Sequence, residues 1–101
     1  MHPATISLMT NIIIPADILF HELSGEAVLL NLDSGKYYGL DEIGTRIWML
    51  LSQHHNLYSA FQILLDEYDV EENRLTDDLI KLVEDLVKNG LLQVEASTEA
   101  P

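Results

Sequence analysis

Apolar residues follow two different spacings in the two halves of this 101-residue chain. In the first half, three short runs have the length and residue types of β-strands: 17–24, 26–32 and 36–40. Turn signals separate these runs: Ser24-Gly25 and Asp33-Ser34-Gly35, with Asp33 expected to start the second turn. The pattern predicts a three-stranded antiparallel meander. The stretch 6–14 can add another strand.

The second half has the spacing of helices. Asp41 is expected to cap a first helix, with a core-facing stripe of Ile43, Ile47, Leu50 and Leu51. Ser59 is expected to cap a second helix that turns inward Phe61, Leu64, Leu65 and Tyr68. A third helix is predicted from about Glu72 to Asn89, ending at Gly90, the residue type that favours helix ends. Three strands followed by three helices predict an α+β fold that resembles a winged helix-turn-helix.

The third helix is apolar over a wider arc than one core contact requires. Its apolar side chains cover roughly 160°, whereas a core stripe needs roughly 100°. The expected core face is Leu75, Leu79, Leu82 and Leu86. The surplus flank is Ile80, Val83 and Val87. This flank either packs on the second helix or the sheet, or it forms one wall of a groove.

The predicted third strand, 36–40, lies at the edge of the meander and has one unpaired row of backbone groups. An edge strand beside an apolar helix can accept an extended peptide as an added strand. Two alternatives remain open at this point. The stretch 6–14 can fold over the edge, or a second copy of the chain can pair with it in a homodimer.

The amino-acid composition disfavours some classes of binding partner. Five Lys and Arg against 17 Asp and Glu give a net charge of -12, which disfavours nucleic acid and anionic membranes. A DNA-binding winged helix is further disfavoured because the third helix carries more acidic than basic residues. The chain has no cysteine, so disulfides and thiolate sites are excluded. Neither a signal peptide nor a membrane-spanning run is present, and a cytoplasmic protein is expected.

Motifs for catalysis are missing from the sequence. It has no Gly-rich phosphate loop, no H-E-x-x-H and no G-x-S-x-G. The adjacent His54 and His55 do not have the spacing of a chelating pair on a helix. The expectation is a protein that is not an enzyme and that holds neither metal nor cofactor.

One long stretch carries a family resemblance. Residues 27–48, AVLLNLDSGKYYGLDEIGTRIW, together with the later leucine pattern that ends at Gly90-Leu91-Leu92, resemble the PqqD-like family. Members of this family are precursor-peptide recognition elements (RREs) in the biosynthesis of ribosomally synthesised and post-translationally modified peptides (RiPPs). The Tyr37-Tyr38-Gly39-Leu40 version is most similar to the free-standing leader-binding subunits of lasso-peptide pathways.

Residues 1–16 are expected to form an N-terminal extension and residues 96–101 a flexible tail. The resemblance, which covers about residues 17–93, implies a recognition domain at 17–95. It also implies a non-catalytic module that binds the leader of a precursor peptide along the third strand and third helix. This module would present the precursor to a leader peptidase or another modifying enzyme. Alternatives are a PqqD-like chaperone for a radical-SAM or other enzyme, or a structural dimerisation module. Mapped onto this chain, the peptide-binding residues are Lys36, Tyr37, Tyr38, Gly39, Leu40, Ile80, Val83, Glu84 and Val87.

Overall fold

The computed structural model describes residues 6–95, so the start of the predicted N-terminal extension and the predicted flexible tail at 96–101 lie outside the described residues. The strands in this range are β1 (Ile12–Ile13), β2 (Ile18–Leu23), β3 (Glu26–Asn31), β4 (Tyr37–Leu40) and β5 (Gln93–Val94). The helices are α1 (Glu42–His54), α2 (Leu57–Glu67) and α3 (Glu72–Lys88). The predicted α+β fold, a three-stranded antiparallel sheet followed by three helices, is confirmed.

The main sheet has the order β2-β3-β4, with both pairs antiparallel. Side chains alternate between its two faces. Leu29 of β3 is fully buried on the face toward the helices, and it lies opposite Phe20 on one side and Tyr38 on the other. The outer face carries Leu30 between Leu19 and Tyr37. The register therefore points Tyr38 toward the helices and Tyr37 away from them.

Asn31, rather than the predicted Asp33, organises the turn between β3 and β4. The Asn31 side-chain oxygen accepts hydrogen bonds from the backbone N–H groups of Asp33 and Ser34, at 2.8 and 3.1 Å. Gly35 completes the turn at a φ of 77°, which a residue with a Cβ rarely adopts. The prediction was wrong on this point because Asn and Asp side chains can both form such turns, and only the packed structure selects Asn31.

Helix α1 begins as predicted, with the Asp41 side chain accepting a hydrogen bond from the backbone N–H of Gly44 at 2.7 Å. Ile47, Leu50 and Leu51 are buried, as expected. Ile43 is 52% exposed, so its assignment to the core stripe was wrong. It lies in the first turn of α1, where the helix passes the end of β4.

The cap of α2 is Asn56, and the prediction of Ser59 was wrong. The Asn56 side-chain oxygen accepts a hydrogen bond from the Ser59 backbone N–H at 3.1 Å, so Ser59 lies three residues inside the capped turn. Phe61 and Leu64 are buried as predicted, whereas Leu65 and Tyr68 are only half-buried against the core.

Helix α3 differs from the predicted orientation at one of its four core positions. Leu75, Leu79 and Leu86 are buried as expected, but the fourth buried position is Val83 instead of Leu82. Helix α3 packs against α2, and its buried face is turned toward the Val83 side. Leu82 is consequently half-exposed.

The stretch 6–14 does not cover β4. Its strand β1 pairs with β5, matching Ile12 with Val94 in an antiparallel ribbon. Ile12 is only 1% exposed, and its backbone N–H donates to the carbonyl of His55 at 3.0 Å. This stretch therefore joins the junction of α1 and α2 to the last described strand, and it leaves the edge of β4 open.

Candidate functional site

Strand β4 presents unpaired backbone groups along one side. The Asn31 N–H donates to the carbonyl of Lys36 at 2.9 Å, which fixes the phase of the hydrogen bonds between β3 and β4. Because bonded pairs alternate in an antiparallel ladder, Tyr38 and Leu40 bond inward to β3. The N–H and C=O groups of Tyr37 and Gly39 therefore point away from the sheet. Within residues 6–95, no strand pairs with this side of β4.

A groove runs beside this open edge. It is a cavity of about 440 Å³ between β4, the start of α1 and one stripe of α3. We call it the β4–α3 groove, and its lining residues are Tyr38, Gly39, Leu40, Asp41, Ile43, Gly44, Ile47, Asp78 and Leu82. Its floor is mostly apolar, while Asp41 and Asp78 place carboxylates at its rim. This combination suits an extended chain with at least one apolar side chain.

Tyr38 lies between this groove and the core. Burial raises the pKa of the Tyr38 hydroxyl above its ordinary value, and the nearby carboxylates of Asp85 and Asp41 raise it further. The hydroxyl is protonated at neutral pH, as that of an ordinary tyrosine is, and it can act as a hydrogen-bond donor to a bound chain. Asp85 thereby joins Asp41 and Asp78 as a third acidic neighbour of the groove.

The predicted strand residues are placed at the open edge. Tyr37 is 76% exposed on the outer face, Lys36 is exposed just before β4 begins, and Gly39 is exposed with open space around its missing side chain. Leu40 is buried beneath the groove. The peptide-binding role of Lys36, Tyr37, Tyr38, Gly39 and Leu40 stays a prediction, and their positions are compatible with it.

The predicted helix residues do not line this groove. Val83 is fully buried in the core, so its assignment to a peptide-contacting surface needs correction. Ile80 and Val87 are half-buried, and Glu84 is exposed, but none of the three is among the groove-lining residues. The α3 residues that line it are Asp78 and Leu82. The sequence pattern could not separate these stripes, because the apolar arc of α3 is wider than the surface it buries.

The groove is not the largest cavity of the described chain, because one of about 510 Å³ lies at one end of the sheet, where His21, Val28 and Gly39 are among its lining residues. Another cavity of about 380 Å³ lies between β2 and α1, next to the other edge of the sheet, where Phe20 and Trp48 form part of its wall. Within residues 6–95, no group of three or more His, Cys, Asp or Glu side chains is arranged to hold a metal ion. In the same range, no helix is long and apolar enough to cross a bilayer.

Sequence comparison identifies the family. Residues 26–92 match the family described as coenzyme PQQ synthesis protein D (PqqD). The chain belongs to the PqqD family. Proteins of the PqqD family are non-catalytic peptide-binding proteins. The matched region runs from β3 to the residue before β5, and it contains the complete β4–α3 groove. A search of curated proteins finds no match.

Two solved structures support the PqqD-family assignment. The first, TbiB1 in complex with the TbiA(β) leader peptide, has a TM-score of 0.77 and 31% identity, and the match covers 83% of this chain and 98% of that one. The second, lasso peptide synthetase B1 complexed with the leader peptide, has a TM-score of 0.73 and 28% identity, and the match covers 81% of this chain and 96% of that one. Both relatives are thus matched over nearly their whole length.

Proposed function

We propose that this chain is a non-catalytic recognition element that captures the leader segment of a ribosomally synthesised precursor peptide and presents it to a processing enzyme. The leader adds as a strand along β4 and turns alternate side chains into the β4–α3 groove. The observation that carries the proposal is the open edge of β4, where the backbone groups of Tyr37 and Gly39 point outward beside an apolar groove.

The solved relatives support this proposal. TbiB1 and lasso peptide synthetase B1 were both solved with leader peptides, and both are similar to this chain over more than four fifths of its length. The finer proposal is that the chain serves a lasso-peptide pathway and delivers its leader to a leader peptidase. The Tyr-Tyr-Gly-Leu sequence of β4 and the name of the second relative favour this assignment over another peptide-modifying enzyme.

Gly39 gives the sharpest test of strand addition. The Gly39→Pro variant removes an outward N–H without removing a bond of the β3–β4 ladder, and proline is tolerated at such edge positions. We expect it to weaken binding of a fluorescent TbiA(β) leader peptide about tenfold or more. The matched control is Gly39→Ala, because the added methyl meets nothing within 4 Å and the N–H remains.

A second control uses the opposite edge of the sheet. The Leu32 N–H donates to the carbonyl of Asp17, so the alternation leaves the N–H of Glu22 pointing outward from β2. Glu22→Pro should therefore leave leader affinity unchanged. Equal affinity of Gly39→Pro and wild-type protein would reject strand addition at β4. Failure of the wild-type protein to bind either the TbiA(β) leader or any member of a random peptide library would reject leader capture.

The pathway is tested with an enzyme. Cleavage of a lasso precursor by the leader peptidase from the same biosynthetic system is measured with and without the chain. Faster cleavage with wild-type protein, but not with Gly39→Pro, is the expected result. Binding of the leader without any effect on its cleavage would retain the recognition function and overturn the lasso assignment.

A further inference from the structure

Two acidic side chains lie on the helical side of the groove: Asp78 lines it, and Asp85 lies close to Tyr38. Asp78, Leu82 and Asp85 follow one another by four and three residues, so they share one stripe of α3. This stripe is about 10 Å long, the same as three residues of an extended strand. Asp78 lines the groove and Asp85 lies near Tyr38, with Leu82 between them along α3.

Basic side chains do not line the groove, although Lys36 lies just before β4. Arg46 forms an ion pair with Glu67 of α2. Arg74, Lys81 and Lys88 are spaced by seven residues, so they share the neighbouring stripe of α3, three or four residues from Asp78 or Asp85. Within residues 6–95, neither Asp78 nor Asp85 takes part in an ion pair. The carboxylates beside the groove are therefore available to a charged group on a bound chain.

The apolar floor sets a second requirement. The apolar surface consists of Leu40, Ile43, Ile47 and Leu82. A polar or charged side chain placed there would lose its hydration without gaining a hydrogen bond, which is unfavourable. A bulky apolar side chain of the guest fits there. In an added strand, every second side chain faces the same way, so the neighbours that also face the groove lie two residues before and after this apolar anchor.

We propose that the groove selects leader segments in which a bulky apolar residue has a Lys or Arg two residues away. The apolar side chain lies over Leu40 and Leu82, and the cation lies beside Asp78 or Asp85. This inference rests on the proposed function and adds a charge requirement to it. The chain's net charge of -12 acts in the same direction, because it attracts a basic segment before contact is made.

The test is a selection from a displayed library of random peptides about 12 residues long, enough to extend past β4 at both ends. The full chain is the bait, in its wild-type form and as the Asp78→Asn/Asp85→Asn double variant. The matched control is Asp66→Asn/Asp77→Asn, which removes the same charge from exposed positions outside the groove lining. Selected peptides are then resynthesised, and their affinities are measured at low and high salt.

We expect the wild-type selection to enrich Lys or Arg two residues from an apolar anchor. The selected peptides should bind the double variant about three- to tenfold more weakly, whereas the control pair should bind nearly as wild type does. The charge requirement would be overturned if the enriched peptides showed no preference for Lys or Arg, or if they bound the double variant as tightly as wild type. Neither result would count against strand addition. Each enriched peptide is also titrated against Gly39→Pro. If this variant weakens the binding of none of them, the proposed function itself is contradicted.

Discussion

The side-chain amide of Asn31 donates a hydrogen bond to the backbone carbonyl of Gly90 at 2.9 Å. Asn31 ends β3 and forms the turn that leads into β4, whereas Gly90 follows the end of α3. This bond connects the two walls of the β4–α3 groove at one end. The groove therefore depends on a contact between residues that do not line it.

Removing the Asn31 side chain should loosen this connection. Asn31→Ala leaves the N–H groups of Asp33 and Ser34 without their acceptor and the Gly90 carbonyl without its donor. We expect the free energy of unfolding in urea to fall by about 1–3 kcal/mol. Asn31→Asp separates the two roles, because it retains the acceptor for the turn but loses the donor to Gly90. It should lose less stability than Asn31→Ala, and equal losses would contradict this division.

Neighbouring residues of α3 should respond differently to truncation. Val83→Ala opens space in the core and should lower the free energy of unfolding by about 2 kcal/mol. Its leader affinity should match wild type under conditions where the protein is folded. Leu82→Ala should cost less stability but weaken binding of the TbiA(β) leader, because Leu82 lines the groove. Urea titrations and peptide titrations of both variants check this, and a reversed pattern would restore the originally predicted orientation of α3.

Ionisation of the Tyr38 hydroxyl should lower the free energy of unfolding at alkaline pH. Its folded-state pKa is raised above the ordinary value of 10.0, so above about pH 10 the unfolded chain loses this proton more readily than the folded one. The stabilisation is complete below that pH and decreases as pH rises through the folded-state pKa. Urea unfolding from pH 8 to pH 11 should show a smaller decline for Tyr38→Phe than for wild type. Tyr37→Phe is the control, because it leaves Tyr38 in place.

The ion pair between Arg46 and Glu67 should stabilise the folded state at neutral pH and lose this effect in acid. The hydrogen bond from Arg46 lowers the pKa of the Glu67 carboxyl below its ordinary 4.5. A depressed pKa stabilises the folded state above the ordinary value, and this stabilisation is lost as pH falls through the folded-state value. Wild type and Glu67→Gln should therefore differ at pH 7, and the difference should shrink as pH falls below 4.5 through the folded-state pKa of Glu67. Both side chains are about one third exposed, so high salt should also reduce the difference.

The sequence was sufficient to predict the meander, the start of α1 at Asp41 and the end of α3 before Gly90. Each depends on local chemistry, such as a capping carboxylate or a residue that tolerates positive φ. The errors at Asp33 and Ser59 have one cause. In both places several residues within a few positions can accept the same backbone hydrogen bonds, and only the packed structure selects Asn31 and Asn56.

The orientation of α3 and the outward groups of β4 could not be read from the sequence. Val83 and Leu82 are adjacent apolar residues, and tertiary packing against α2 decides which is buried. The outward direction of the Gly39 backbone depends on the bond between Asn31 and Lys36, which sets the phase of the ladder. Both features depend on how elements meet, which local pattern does not specify.

The pairing of β1 with β5 has a consequence for how this protein is made. Ile12 leaves the ribosome early, but its partner Val94 is among the last described residues to be synthesised. While the nascent chain grows, the ribbon that holds Ile12 in the core cannot form. Native folding is therefore completed only after translation has passed β5, and until then Ile12 is an apolar side chain without its native strand partner.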